Sequence, residues 1–84
     1  MKIKPRFVEL KVPLLTGDET LMTVGEWLVT VGDPVEIDQD LVELIFDDET
    51  FRLPSPLDGV LVAIETETGL MVEPGQVLAI LEMY

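Results

Sequence analysis

Three consecutive acids, Asp47, Asp48 and Glu49, stand inside the stretch LVELIFDDETFRLPSP at residues 41–56. Carboxylates in such a cluster offer three kinds of work. They can ligate a hard cation through oxygen, act as acid and base on a glycosidic bond, or attract Lys and Arg groups of a partner. Spacing separates these options. Adjacent turn acids do not converge easily on one ion, and no EF-hand or zinc-ligand spacing accompanies them. Glycosidic chemistry needs two separated carboxylates facing each other across a cleft. The chain has no histidine and no cysteine, Ser55 stands between two prolines without an identifiable base, and no glycine-rich phosphate loop is present. The residues therefore describe a protein that is not an enzyme. Its acidic tip is either solvated or a recognition surface made of Asp47, Asp48, Glu49 and the nearby Phe51. A hard-metal-binding structural module is the remaining alternative, with no specific metal ligands assigned.

Net charge narrows the partners. The sequence carries 17 acidic against 5 basic residues, a formal charge of −12 over 84 residues. Such a surface does not neutralise phosphates, which argues against nucleic acid, and it disfavours anionic membranes. It suits a basic protein surface and keeps copies of the chain apart, so a monomer is expected. The hydrophobic content of 48% rules out charge-rich disorder. The basic start, MKIKPRF, is followed by no long apolar segment, which leaves cytoplasm as the expected compartment. One domain over residues 7–84 is expected, with residues 1–6 loosely attached.

The elements that would present the tip are short and β-prone. Residues 7–12 alternate, and Pro13 ends their ladder donors. Leu14 to Thr20 reads as a loop. Leu21 to Val31 reads as strand, because its β-branched residues and nearby glycines oppose a helix. Gly32-Asp33-Pro34 forms a turn before the short extended piece Val35-Glu36-Ile37. Leu41–Phe46 and Glu49–Leu53 form a hairpin, and residues 60–64 and 77–81 supply further strands. Trp27 and Phe46 read as core residues. Gly32, Gly59, Gly69 and Gly75 read as turn devices, and Pro54 and Pro56 keep the hairpin exit extended.

An internal repeat organises these pieces. GDPVEIDQDLVEL at 32–44 lies without gaps over GLMVEPGQVLAIL at 69–81, an offset of 37 residues. Gly32 matches Gly69, Val35-Glu36 matches Val72-Glu73, Gln39 matches Gln76, Leu41 matches Leu78 and Leu44 matches Leu81. Upstream, Trp27 falls opposite Ile64. Neither half can bury a core alone, so the two should pack face to face about a quasi-twofold axis.

At this point the chain resembles biotinyl/lipoyl-type carrier domains, most nearly the lipoyl domains of 2-oxo acid dehydrogenase acyltransferases. The resemblance rests on VGEWLVTVGDPVEIDQDLVEL at 24–44, LPSPLDGVLVAI at 53–64, VEPGQVLAILE at 72–82 and the first-strand string Lys11-Val12-Pro13. It implies an all-β flattened barrel or sandwich of two four-stranded antiparallel sheets, with a cofactor-bearing hairpin at one end. In that family an Asp-Lys-Ala-like tip carries lipoate or biotin as an amide on the lysine Nζ. Counting back from Leu53-Pro54-Ser55-Pro56 places Asp48 at the lysine position, Asp47 at the preceding aspartate and Glu49 at the small residue. A carboxylate is not an amine nucleophile, so no conventional cofactor is expected here. The only lysines are Lys2, Lys4 and Lys11, which leaves an unusual attachment at one of them as the alternative. The resemblance also implies a component of an acyl-transfer or carboxylase multienzyme complex as partner.

Overall fold

The computed structural model describes residues 6–14 and 21–84. Eight strands follow one another: β1 (Arg6–Lys11), β2 (Met22–Trp27), β3 (Pro34–Val35), β4 (Asp40–Phe46), β5 (Glu49–Pro54), β6 (Gly59–Ile64), β7 (Met71–Val72) and β8 (Val77–Met83). They form two antiparallel four-stranded sheets, ordered β1-β8-β6-β3 and β5-β4-β2-β7. This is the expected sandwich. The loop read at 14–20 lies outside the described residues except for Leu14, and so does most of the loosely attached start.

The repeat governs the architecture. Adding 37 to the bounds of β2, β3 and β4 gives those of β6, β7 and β8. Hydrogen bonds repeat with the same offset: Gly32 N donates to Leu61 O and Gly69 N to Val24 O, both at 2.8 Å. Gln39 Oε1 accepts from Glu36 N at 2.9 Å, and Gln76 Oε1 accepts from Glu73 N at 3.3 Å. The halves also exchange their shortest strands. β3 of the first half pairs with β6 of the second, and β7 of the second pairs with β2 of the first. Each sheet therefore needs a strand from the other half, which ties the two into one cooperative unit.

Alternation along the strands turns one face of each sheet inward. The core between them holds Leu41, Leu44, Leu61, Leu78, Leu81, Val24, Val35, Val42 and Val72, all but inaccessible to solvent. Trp27 and Ile64, matched by the repeat, both pack partly buried against it. Trp27 also donates its Nε1 hydrogen to Thr66 O at 3.0 Å, so the indole is placed by a polar contact as well as by packing.

Two local expectations change. The strand read across Leu21–Val31 ends at Trp27, and the chain turns a corner in which Leu28 N donates to Leu41 O and Val29 is buried. There the β-branched residues fill a bend rather than extend a ladder. Gly59 is also not a turn device. It opens β6, and only Gly32, Gly69 and Gly75 among the described glycines have positive φ. A side chain at Gly59 would run into the carbonyl oxygen of Glu82 and the side chain of Leu57. Glycine is required there because backbone meets backbone.

Candidate functional site

Strands β4 and β5 form the hairpin read from the sequence. Phe46 pairs with Glu49, and Asp47-Asp48 are the two linking residues. Their φ values are 51° and 64°. Positive φ at both central residues is the signature of a type I′ turn, whose twist suits a tight hairpin and whose preferred sequence is Asn-Gly. Aspartate tolerates this region better than most residues, because its short polar side chain can bond locally, yet it still meets the steric cost of a Cβ. Both acids and Glu49 are exposed. Three negative groups therefore crowd a turn built from two disfavoured backbone conformations. Replacing Asp47-Asp48 with Asn-Gly is expected to stabilise the fold by about 1 kcal/mol. The check is a higher urea midpoint at unchanged m value.

The remaining tip residues are divided between the two faces. Phe51 pairs with Leu44 on the inward side and is half-buried. Thr50 pairs with Ile45 on the outward side. Arg52, paired with Glu43, lies 3.5 Å from the Glu43 carboxylate and 3.8 Å from that of Asp40. It is the only basic residue after Lys11, and its charge is already engaged away from the tip. Exposed pairs of this kind add little stability, and among the described residues no ion pair involves Asp47, Asp48 or Glu49.

Other candidate chemistry finds no support in the geometry. Ser55 is buried, and its hydroxyl donates to Leu57 O at 2.7 Å, shaping the hairpin exit. Among the described residues no group of three or more Asp, Glu, His or Cys side chains is arranged to hold a metal ion. Lys11, the described lysine, ends β1 in the opposite sheet with its Nζ 3.8 Å from Glu9. Lys2 and Lys4 lie outside the described residues. A lipoyl or biotinyl amide needs an amine at the hairpin turn. The turn offers two carboxylates, so the residues present do not fit the group. Among the described residues no helix is long and apolar enough to cross a membrane.

Comparison with known proteins identifies the scaffold. Residues 8–81 match the family described as "Biotin-requiring enzyme". The succinyltransferase component of the 2-oxoglutarate dehydrogenase complex of Bartonella vinsonii subsp. berkhoffii is 40% identical over 74 residues. That alignment covers 88% of this chain and 18% of the relative. The acetyltransferase component of the pyruvate dehydrogenase complex of Corynebacterium glutamicum is 38% identical over 72 residues, covering 86% of this chain and 11% of the relative. The chain thus spans less than a fifth of the length of either curated relative. A solved single-chain, multi-domain long-chain acyl-CoA carboxylase superposes over 100% of this chain and 8% of its own, with a TM-score of 0.81 at 20% identity, and shows the shared fold. The chain belongs to the biotinyl/lipoyl-type carrier-domain family.

Proposed function

We propose that this chain is an accessory module of an acyl-transfer or carboxylase multienzyme system, acting by protein contact rather than by carrying a covalent cofactor. One observation carries the reading: the scaffold is kept over nearly the whole chain while the hairpin turn holds Asp47-Asp48 and no amine. A carrier's arm must be anchored where it can swing between active sites. Lys11 does not meet that requirement, lying in the other sheet beside Glu9. The same tip suits recognition. Asp47, Asp48 and Glu49 concentrate negative charge on a projecting turn, which speeds approach of a basic surface and penalises acidic ones. Phe51, half-buried behind them, offers an apolar contact at the foot of the turn. The names of the relatives place them in dehydrogenase complexes, which supports a partner from that kind of assembly.

Capture from the source cells tests this reading, using the natural chain and a variant carrying Asp47→Asn, Asp48→Asn and Glu49→Gln. Both folds are first verified by circular dichroism. A discrete partner should be retained by the natural chain and reduced about tenfold or more in the variant, corresponding to roughly 1.4 kcal/mol. Equal retention would place recognition elsewhere on the domain and remove the role assigned to the tip.

A further inference from the structure

The outward face of the β5-β4-β2-β7 sheet crosses all four strands in one row. Met71 pairs with Thr23, Thr23 with Ile45, and Ile45 with Thr50. Directly paired antiparallel residues project to the same face, so these four side chains form an uncharged band. Leu21 is exposed immediately before β2, next to the Thr23 end of that row. Three large apolar side chains in this neighbourhood are open to solvent: Leu21 at 55%, Ile45 at 40% and Met71 at 61% exposure. Gly25, next on the face, meets Glu43 Cβ and Ile45 Cδ1 wherever a side chain would begin, so the surface beside Ile45 is flat. Acids frame it. Asp47 follows Ile45 by two residues on β4's path to the tip, Glu73 follows Met71 by two, and both are exposed.

The other sheet provides an internal comparison. Its quasi-equivalent row is Phe7, Glu82, Val60 and Pro34. There a charged residue, Glu82, occupies the place that Ile45 takes beside the hairpin. The repeat therefore yields two similar faces, and the one at the foot of the acidic tip has the uncharged row.

We propose that this face seats a basic amphipathic helix of a partner protein, its apolar side against Leu21, Ile45 and Met71 and its Lys or Arg groups toward Asp47, Asp48, Glu49 and Glu73. This rests on, and deepens, the partner-contact reading above. The shape supports a helix. Four strands about 4.8 Å apart make a floor about 15 Å wide, and a helix with its side chains is about 10–12 Å across. An added strand is disfavoured at both edges: β7 has two residues, and β5 carries the charged Glu49 and Arg52 and ends in Pro54. The charge selects the partner. Two copies at −12 each repel, and anionic lipid is disfavoured for the same reason.

The test uses a synthetic amphipathic Leu/Lys helical peptide as probe, titrated into the labelled protein and followed by its amide resonances. A Leu/Glu peptide and an all-polar Lys-rich peptide serve as controls. The shifts should centre on Leu21, Thr23, Ile45 and Met71. Ile45→Thr with Met71→Thr should weaken binding about tenfold or more, as expected for losing two apolar contacts. Phe7→Thr on the opposite face should leave affinity within about twofold. These positions are exposed, so the variants should keep the native spectrum. The proposal is overturned if the peptide does not bind, if its shifts fall on the other sheet, or if the Lys-rich control binds equally well. Concentration-dependent dimerisation through this face would also overturn it, since the occupant would be a second copy. A captured partner lost with the neutral tip but insensitive to Ile45→Thr and Met71→Thr would remove this inference and leave the proposed function standing.

Discussion

Replacing Asp48 with lysine and Glu49 with alanine is expected to convert the hairpin from inert to modifiable. Expressed in cells that lipoylate their own carrier domains, the natural chain should show no lipoyl mass and the double variant a near-stoichiometric one. The reasoning runs from the backbone. β4 and β5 are held in register from Asp40–Pro54 to Phe46–Glu49, and the turn projects its side chains into solvent. What is lacking is the nucleophile: an aspartate carboxylate cannot form the amide, and a lysine Nζ can. The substitution also restores the Asp-Lys-Ala pattern implied by the resemblance, with Asp47 already present. Lysine at φ near 64° meets a steric cost of about 1–2 kcal/mol, which a domain of this size tolerates. Peptide mapping would place the added mass. No modification of a folded variant would mean that the turn is not the equivalent of the family's attachment turn. Modification of the natural chain would contradict the absence of an acceptor.

The largest loss of stability is expected from Gly59→Ala. An 84-residue domain is held by about 4–13 kcal/mol in total. A methyl group at Gly59 meets the Glu82 carbonyl oxygen and Leu57, so β6 must move away from β8 or lose ladder bonds. Overpacking typically costs about 1–3 kcal/mol, and a backbone obstacle relaxes less readily than a side chain. A loss of about 3 kcal/mol or more is therefore expected, read as a lower urea midpoint. The contrasting control is Gly32→Ala. No atoms crowd that position, but its φ of 97° lies outside the usual range for a side chain, so its cost is conformational, about 1–2 kcal/mol. Equal, small effects at both sites would contradict the close approach of β6 and β8.

Much of this architecture is legible in the residues, and the exceptions have physical causes. The strings around Leu41, Leu44, Leu78 and Leu81 reveal the repeat because equivalent core positions need similar volumes. The 37-residue offset then carries over to strand bounds and turn hydrogen bonds alike. β7 leaves no signal in the residues, since two residues with one buried side chain, Val72, show no periodicity. The overextended reading of Leu21–Val31 has a different origin. Val29 is apolar because it plugs a corner, and β-branched residues signal burial as readily as strand. Asp58-Gly59 reads as a turn string, whereas the requirement for Gly59 comes from Glu82, far along the chain. At the tip, the missing amine needs only the sequence. The outward row from Met71 to Thr50 needs the structure, because Met71 reaches Thr23 through the strand exchange between halves.

The most direct test is the intact mass of the chain isolated from its own cells, with peptide maps covering residues 1–11 and 41–56. A carrier-type scaffold without a hairpin acceptor predicts that both regions are free of lipoyl and biotinyl groups. A stoichiometric lipoyl or biotinyl increment on Lys2, Lys4 or Lys11 would contradict it and make the chain a carrier with a displaced attachment site.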